Sequence, residues 1–221
     1  MKQLAIRDTR VTLPNLDATE LADVDSLEGH LLLSDFRLAG RELPSLEISG
    51  QRLATGHVSG LRTQRAKLDD LRMDSVDFAG CELSRAVITG GKWSRVRFTD
   101  SKMLSGQLRD LTFENVVFDH CKFDFAVFQG VTAKGPVIFR NCSLEETCFT
   151  GCDLSRVAFD DCRMVATSFQ RSTCKGTDLR GNDLSRVCGI ASLARAVIGP
   201  AQVSQLGDAL VIDLKLRLPD D

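Results

Sequence analysis

The sequence predicts an all-β solenoid assembled from a five-residue unit, and three observations predict it. An apolar residue returns at every fifth position, a period that neither the 3.6-residue helix nor the two-residue strand produces. Ten of the twelve phenylalanines fall on that position, at 78, 98, 113, 118, 123, 128, 139, 149, 159 and 169. The position two residues earlier stays small, running through Ala66, Val76, Cys81, Ala86, Gly91, Val96, Ser101 and Gly106. One large and one small inward position per word imply a narrow interior filled layer by layer. A five-residue unit cannot bury its own apolar residue, but stacked copies share one continuous core.

Composition is compatible with this. The chain has 221 residues, 43% of them hydrophobic, and a net charge of -2, so total charge points to no partner. No block is strongly one-signed. The amino terminus turns charged soon after Met1, without an apolar run of signal-peptide length, and nowhere do eighteen apolar residues run together. The expectation is therefore a cytoplasmic protein with no membrane span. Eight cysteines without a CxxC pair suit neither a disulfide scaffold nor a zinc ribbon.

With the central apolar residue of each word called i, the series runs from Leu33 and Leu38 to Phe128. It slips by one residue in "VTAKGPVIF", at 131–138, and resumes from Phe139 to Leu184. The words "TDLRG" and "NDLSR" (177–186) and "CDLSR" (152–156) resemble the pentapeptide-repeat family, whose unit is roughly A-(D/N)-L-x-x. The resemblance covers 31–187. It implies a right-handed quadrilateral parallel β-helix in which each word forms one side of a square and four words one coil. That gives roughly eight coils about 4.8 Å apart.

Residues 1–30 lack the period and are rich in acids, so they are expected to cap the solenoid, whose open end would expose unpaired backbone groups. Residues 188–221 form a second cap or a dimerisation segment. In it, "GPAQVSQLGDAL" (199–210) reads as a helix with Val203, Leu206 and Leu210 on one side. "VIDLKLRL" (211–218) alternates Ile212, Leu214, Leu216 and Leu218 with charged residues, the signature of a strand. Family members often dimerise through such an extension, which implies a homodimer here.

No phosphate loop, nucleophile elbow or HExxH motif is present, so no enzyme, cofactor, metal or small-molecule substrate is expected. Function then falls to the outer surface. At i−1, Arg52, Arg72 and Lys92 stack on one face, and Lys102 and Lys122 on another with Arg62 further up. Leu104, Phe125 and Val165 form an apolar corner group on the face of Lys102 and Lys122. Acidic candidates are Asp69, Asp70, Glu145, Glu146, Asp160 and Asp161. The resemblance implies a DNA-mimicking modulator or protector of DNA gyrase or topoisomerase IV, of the quinolone-resistance type. The alternative is a scaffold that binds another protein through the apolar corner. Direct nucleic-acid binding is disfavoured because three stacked cations lack aromatic platforms.

Overall fold

A computed structural model describes residues 2–16 and 20–217. Strands separated by twenty residues pair in parallel: Met73 lies on Leu53 and on Trp93, and Phe78 on Val58 and on Phe98. Twenty residues at five per side close a square coil. In five coils the first two sides are one extended run, such as Arg72–Ala79, and two shorter strands on the second side, Val137–Arg140 and Val157–Asp160, continue the stack that begins at Leu32–Ala39. The fourth side forms a second parallel sheet of seven strands, from Leu46–Ser49 to Ser168–Gln170. Much of the third side is held by single bridges such as Lys102 to Lys122. An eighth level, from Thr173 to Val187, follows with bridges only. The expected slip is visible in the register. Phe113 faces Ala133, twenty residues on, whereas Val116 faces Val137, twenty-one on.

The interior is a set of columns. Phe78, Phe98, Phe118, Phe139 and Phe159 stack with ring centroids 4.5 to 5.6 Å apart, and Phe128, Phe149 and Phe169 form a second stack. The two stacks meet edge to face, as Phe149 meets Phe159 at 5.9 Å and 76°. This is the geometry that ring quadrupoles prefer. In the first coil Phe36 fills a small-residue slot. It fits because Gly56 lies beneath it in the next coil, where an added Cβ would come within 2.1 Å of the ring.

The small slot does more than save space. Cys81, Cys121, Cys142 and Cys162 lie in one column of the third side, interrupted by Ser101 and followed by Asn182. The Cys142 thiol donates to the carbonyls of Phe118 and Arg140, and the Cys162 thiol to those of Phe139 and Asp160. Ser101 and Asn182 make equivalent bonds. Each polar atom therefore satisfies a corner carbonyl that turns inward, away from water. Burial pushes the Cys81 and Cys152 thiols up to about 11, so they remain protonated donors.

The ends depart from the sequence expectation. Residues 20–30 do sit at the open coil end: Ala22–Asp23 pairs with Phe36 and Arg37, and Leu27 is buried. Residues 3–12 do not. They form a hairpin, β1 (Gln3–Ile6) and β2 (Thr9–Thr12), whose Ile6 and Val11 lie against Val117, Ile138 and Ala158 on the outside of the second face. Those three occupy the outward i−1 column, where earlier coils carry Arg37, His57, Asp77 and Arg97. At the other end, helix α1 (Gln202–Asp213) takes up the first three residues of the stretch read as a strand, and a turn at Leu214 and Lys215 follows it. Its side chains bond the last coil: Gln202 reaches the carbonyls of Leu179 and Asn182, and Asp213 accepts from the amides of Gly189 and Ile190. These anchors recur at helical spacing and satisfy backbone groups that a neighbouring coil would otherwise pair, which outweighs the alternation of 211–218.

Candidate functional site

The interior is occupied by side chains, so the candidate surfaces lie outside. The first cation ladder is real in register, with Arg52 beside Arg72 and Lys92 on the next coil, all exposed. It is partly neutralised, because Lys92 pairs with Glu114 at 2.6 Å and Arg72 with Asp70 at 3.4 Å. The second ladder reads Arg62, Glu82, Lys102, Lys122, Ser143, Arg163. An acid interrupts it: Glu82 bonds Lys102 at 3.1 Å.

Leu104, Phe125 and Val165 do not form one patch. Leu104 and Val165 share a column in which Asp124 and Glu145 stand between them, and both are half-buried. Phe125 lies one residue further round the corner and is 55% exposed. Its backbone is left-handed, with φ +62°, as at the equivalent corners Arg85, Ser105, Glu146 and Ala166.

The acidic candidates make no continuous stripe. Asp70 pairs with Arg72, Glu145 with Arg163 at 2.9 Å, and Asp160 with Arg7 of the hairpin at 2.5 Å. Asp69, Glu146 and Asp161 are exposed on other corners. On the second face, acids and bases alternate from coil to coil. Asp77 receives two bonds from Arg97, at 2.8 and 2.6 Å, with His57 on its other side. Asp119 is bound in the same forked way by Arg140, with His120 adjacent. Asp178 takes Arg180 and Arg7. Burial pushes the Asp119 and Asp178 carboxyls up, but the guanidiniums beside them outweigh it and hold both below the ordinary carboxylate range.

The dimerisation candidates separate into one on the coil-facing side of α1 and others on its remaining sides or beyond its end. Leu206 is partly buried against the core, beside the buried Gln202 and Ala209. Val203, Leu210, Ile212, Leu214 and Leu216 are 40 to 63% exposed. Leu218 lies outside the described residues. Sequence reasoning missed the stripe Val117, Ile138 and Ala158. Its signal was three successive apolar residues at an outward position, which implies a covering element.

Among the described residues no three His, Cys, Asp or Glu side chains gather as a metal-ligand set. No helix there is long and apolar enough to cross a membrane.

A model of the SV2A/B/C luminal domain matches residues 90–169, about a third of the chain. No curated protein matches. Among solved structures, full-length QnrB1, described as a plasmid-mediated fluoroquinolone resistance protein, is similar at 15% identity. That match covers 85% of this chain and 94% of QnrB1, with a TM-score of 0.37. HetL, a pentapeptide repeat protein involved in heterocyst differentiation regulation in the cyanobacterium Nostoc sp. strain PCC 7120, is similar at 14% identity. Coverage there is 69% of this chain and 84% of HetL, with a TM-score of 0.29. The architecture stands on the chain itself: its five-residue words, its twenty-residue strand register and its filled square interior make it a quadrilateral parallel β-helix of five-residue repeats.

Proposed function

We propose that this protein is a non-enzymatic protein-interaction module, joined into a homodimer through the exposed face of α1. The observation that carries the reading is Phe125. The left-handed backbone is common to this corner in Arg85, Ser105, Glu146 and Ala166; what sets Phe125 apart is a bulky apolar ring left 55% exposed. An apolar ring that contributes little to its own fold is suited to a partner's pocket. The dimer is supported by Val203, Leu210 and the C-cap Leu214, which follow one another along one side of α1, next to the side that anchors to the coil. Dissociation of the dimer by Leu210→Asp, read by light scattering, tests that half. A wild-type monomer at micromolar concentration would remove it.

The named target within this reading is DNA gyrase or topoisomerase IV, supported by the rod and by the family resemblance of its repeat words. Charge mimicry of DNA is not how it would work, since the acids of the second face are paired with bases coil by coil. Supercoiling by gyrase, with and without a fluoroquinolone, tests the target. Restored supercoiling in the drug's presence supports protection. No effect leaves the second reading, a scaffold for another protein, which Phe125 favours on its own. Phe125→Asp abolishes binding if that ring is the anchor.

A further inference from the structure

We propose that the corner between the third and fourth sides, across the first three coils, is a binding groove for an acidic peptide segment of a partner protein. This site is separate from Phe125 and from α1. It is an open depression of about 740 Å³ lined by Pro44, Ala66 and Val87 together with Arg65, Lys67 and Arg85. That volume lies within the range of sites that hold ligands, roughly 300–1,000 Å³.

A change in the repeat produces the groove. In the first two coils this corner follows a pair of short strands, Glu42–Leu43 on Arg62–Thr63, and the fourth side begins early, at Leu46 and Ala66. From the third coil onward the corner is a tight turn with a left-handed residue at Arg85, Ser105 and Phe125, and the fourth side begins only at Val87. The corner hydrogen bonds change with it. Leu46 donates its amide to the Arg65 carbonyl in the first seam, whereas Arg85 donates to Leu104 in the third. The groove lies where the two corner shapes meet.

Charge gives the groove its specificity. Arg65, Lys67 and Arg85 are exposed, and none has a carboxylate within ion-pair distance among the described residues. Elsewhere on the solenoid Arg72, Lys92, Arg95, Arg97, Lys102, Arg140 and Arg163 each have one. Arg65 and Arg85 also occupy matching positions on adjacent coils, so their repulsion is uncompensated. Bound carboxylates would relieve it, and guanidinium forks take carboxylates two bonds at a time. One acid, Glu47, also lines the groove, beside Lys67 in register. It offsets part of the Lys67 charge, repels a uniform polyanion and suits the N–H groups or a basic residue of a peptide. Three cations are also far fewer than the roughly 6–10 phosphate contacts of a strongly salt-dependent nucleic-acid binder. No aromatic ring lines the groove for bases to stack on.

The test is fluorescence anisotropy with a labelled peptide of alternating Glu and Gly, competed by an unlabelled thymidine oligonucleotide of equal charge. Saturable peptide binding is expected, with Arg65→Glu plus Arg85→Glu weakening it about tenfold or more. Arg171→Glu, an exposed cation on the fourth side, should change it by less than about twofold. If the doubly reversed variant fails to fold, as judged by Trp93 emission, Arg65→Gln plus Arg85→Gln carries the test and should weaken binding by a smaller factor. Three results would overturn the proposal: no saturable binding, equal loss in Arg171→Glu, or an oligonucleotide that competes as well as the peptide itself.

Discussion

Truncating Phe139 to alanine probes whether the aromatic columns hold the solenoid together. Phe139 is 2% exposed, stacked between Phe118 at 4.7 Å and Phe159 at 5.1 Å, with Phe123, Phe128 and Phe149 edge-on at 5.9 to 6.2 Å. A buried Phe→Ala change costs about 3–5 kcal/mol from lost transfer energy and the cavity left behind. Two stacked partners each add about 0.5–1.5 kcal/mol beyond buried area, and backbone paired to both neighbouring coils limits collapse of the void. The expected loss is therefore near the top of the range, about 5 kcal/mol. The assay is urea unfolding followed by emission of Trp93, the chain's one tryptophan, which is buried two coils away. Phe125→Ala is the comparison, because its ring is exposed and surface changes usually stay within about 0.5 kcal/mol. A loss below about 2 kcal/mol for Phe139→Ala, or an equal loss for the two variants, would refute the column argument.

Gly56→Ala should destabilise by about 1–3 kcal/mol through overpacking against the Phe36 ring, and Phe36→Leu in the same chain should recover part of it; unchanged melting would show that the ring moves freely. Phe125→Gly should raise stability by up to about 1 kcal/mol by relieving the left-handed backbone, while abolishing partner binding. A fall in stability on that change would mean that the ring packs on its own fold. Acid should weaken the protein through Asp119 and Asp178, whose folded-state carboxyls sit below the ordinary range. A depressed carboxyl contributes stability above its unfolded pKa, and that contribution is lost as pH falls below about 4. Asp119→Asn should accordingly lose less on acidification than the parent when urea midpoints are compared at about pH 6 and about pH 3, and identical slopes would count against it.

Much of the fold was legible because the repeat states its own geometry. A period of five, with the large residue at i and a small one at i−2, specifies which side chains meet inside, and the slip at 131–138 appeared in the register where the words break. The ends were less legible for a physical reason. Ile212, Leu214, Leu216 and Leu218 alternate as strand residues do, but the last coil leaves backbone groups unpaired, and Gln202 and Asp213 reach them from a helix. Residues 3–12 have ordinary strand composition, and nothing local says that they pack on a side face rather than over the end. The decisive residues, Val117, Ile138 and Ala158, are more than a hundred positions away. The candidate surfaces were legible as columns but not as patches, because whether neighbours pair depends on what stands one coil away. Glu82 beside Lys102 and Asp124 beside Leu104 show this.

Stacking also constrains what such a rod can recognise. Each outward column repeats a side chain about every 4.8 Å, and like charges at that spacing repel. This chain mostly avoids the penalty by alternation: His57, Asp77 and Arg97 in one column, and Asp119, Arg140 and Asp160 in another. A rod built to imitate duplex DNA would instead have to keep its acids unpaired along a face. Here the acids that stack are neutralised, so neither side of the second face projects a strong field. Among the described residues, what lacks a partner is discrete: single cations such as Arg52, Arg62, Lys122 and Arg171, the pair Arg65 and Arg85 at one corner, one exposed ring at Phe125, and the apolar side of α1. Under the proposed interaction role, recognition would therefore rest on a few discrete surface features held at fixed separations by a filled core, rather than on a continuous charge pattern.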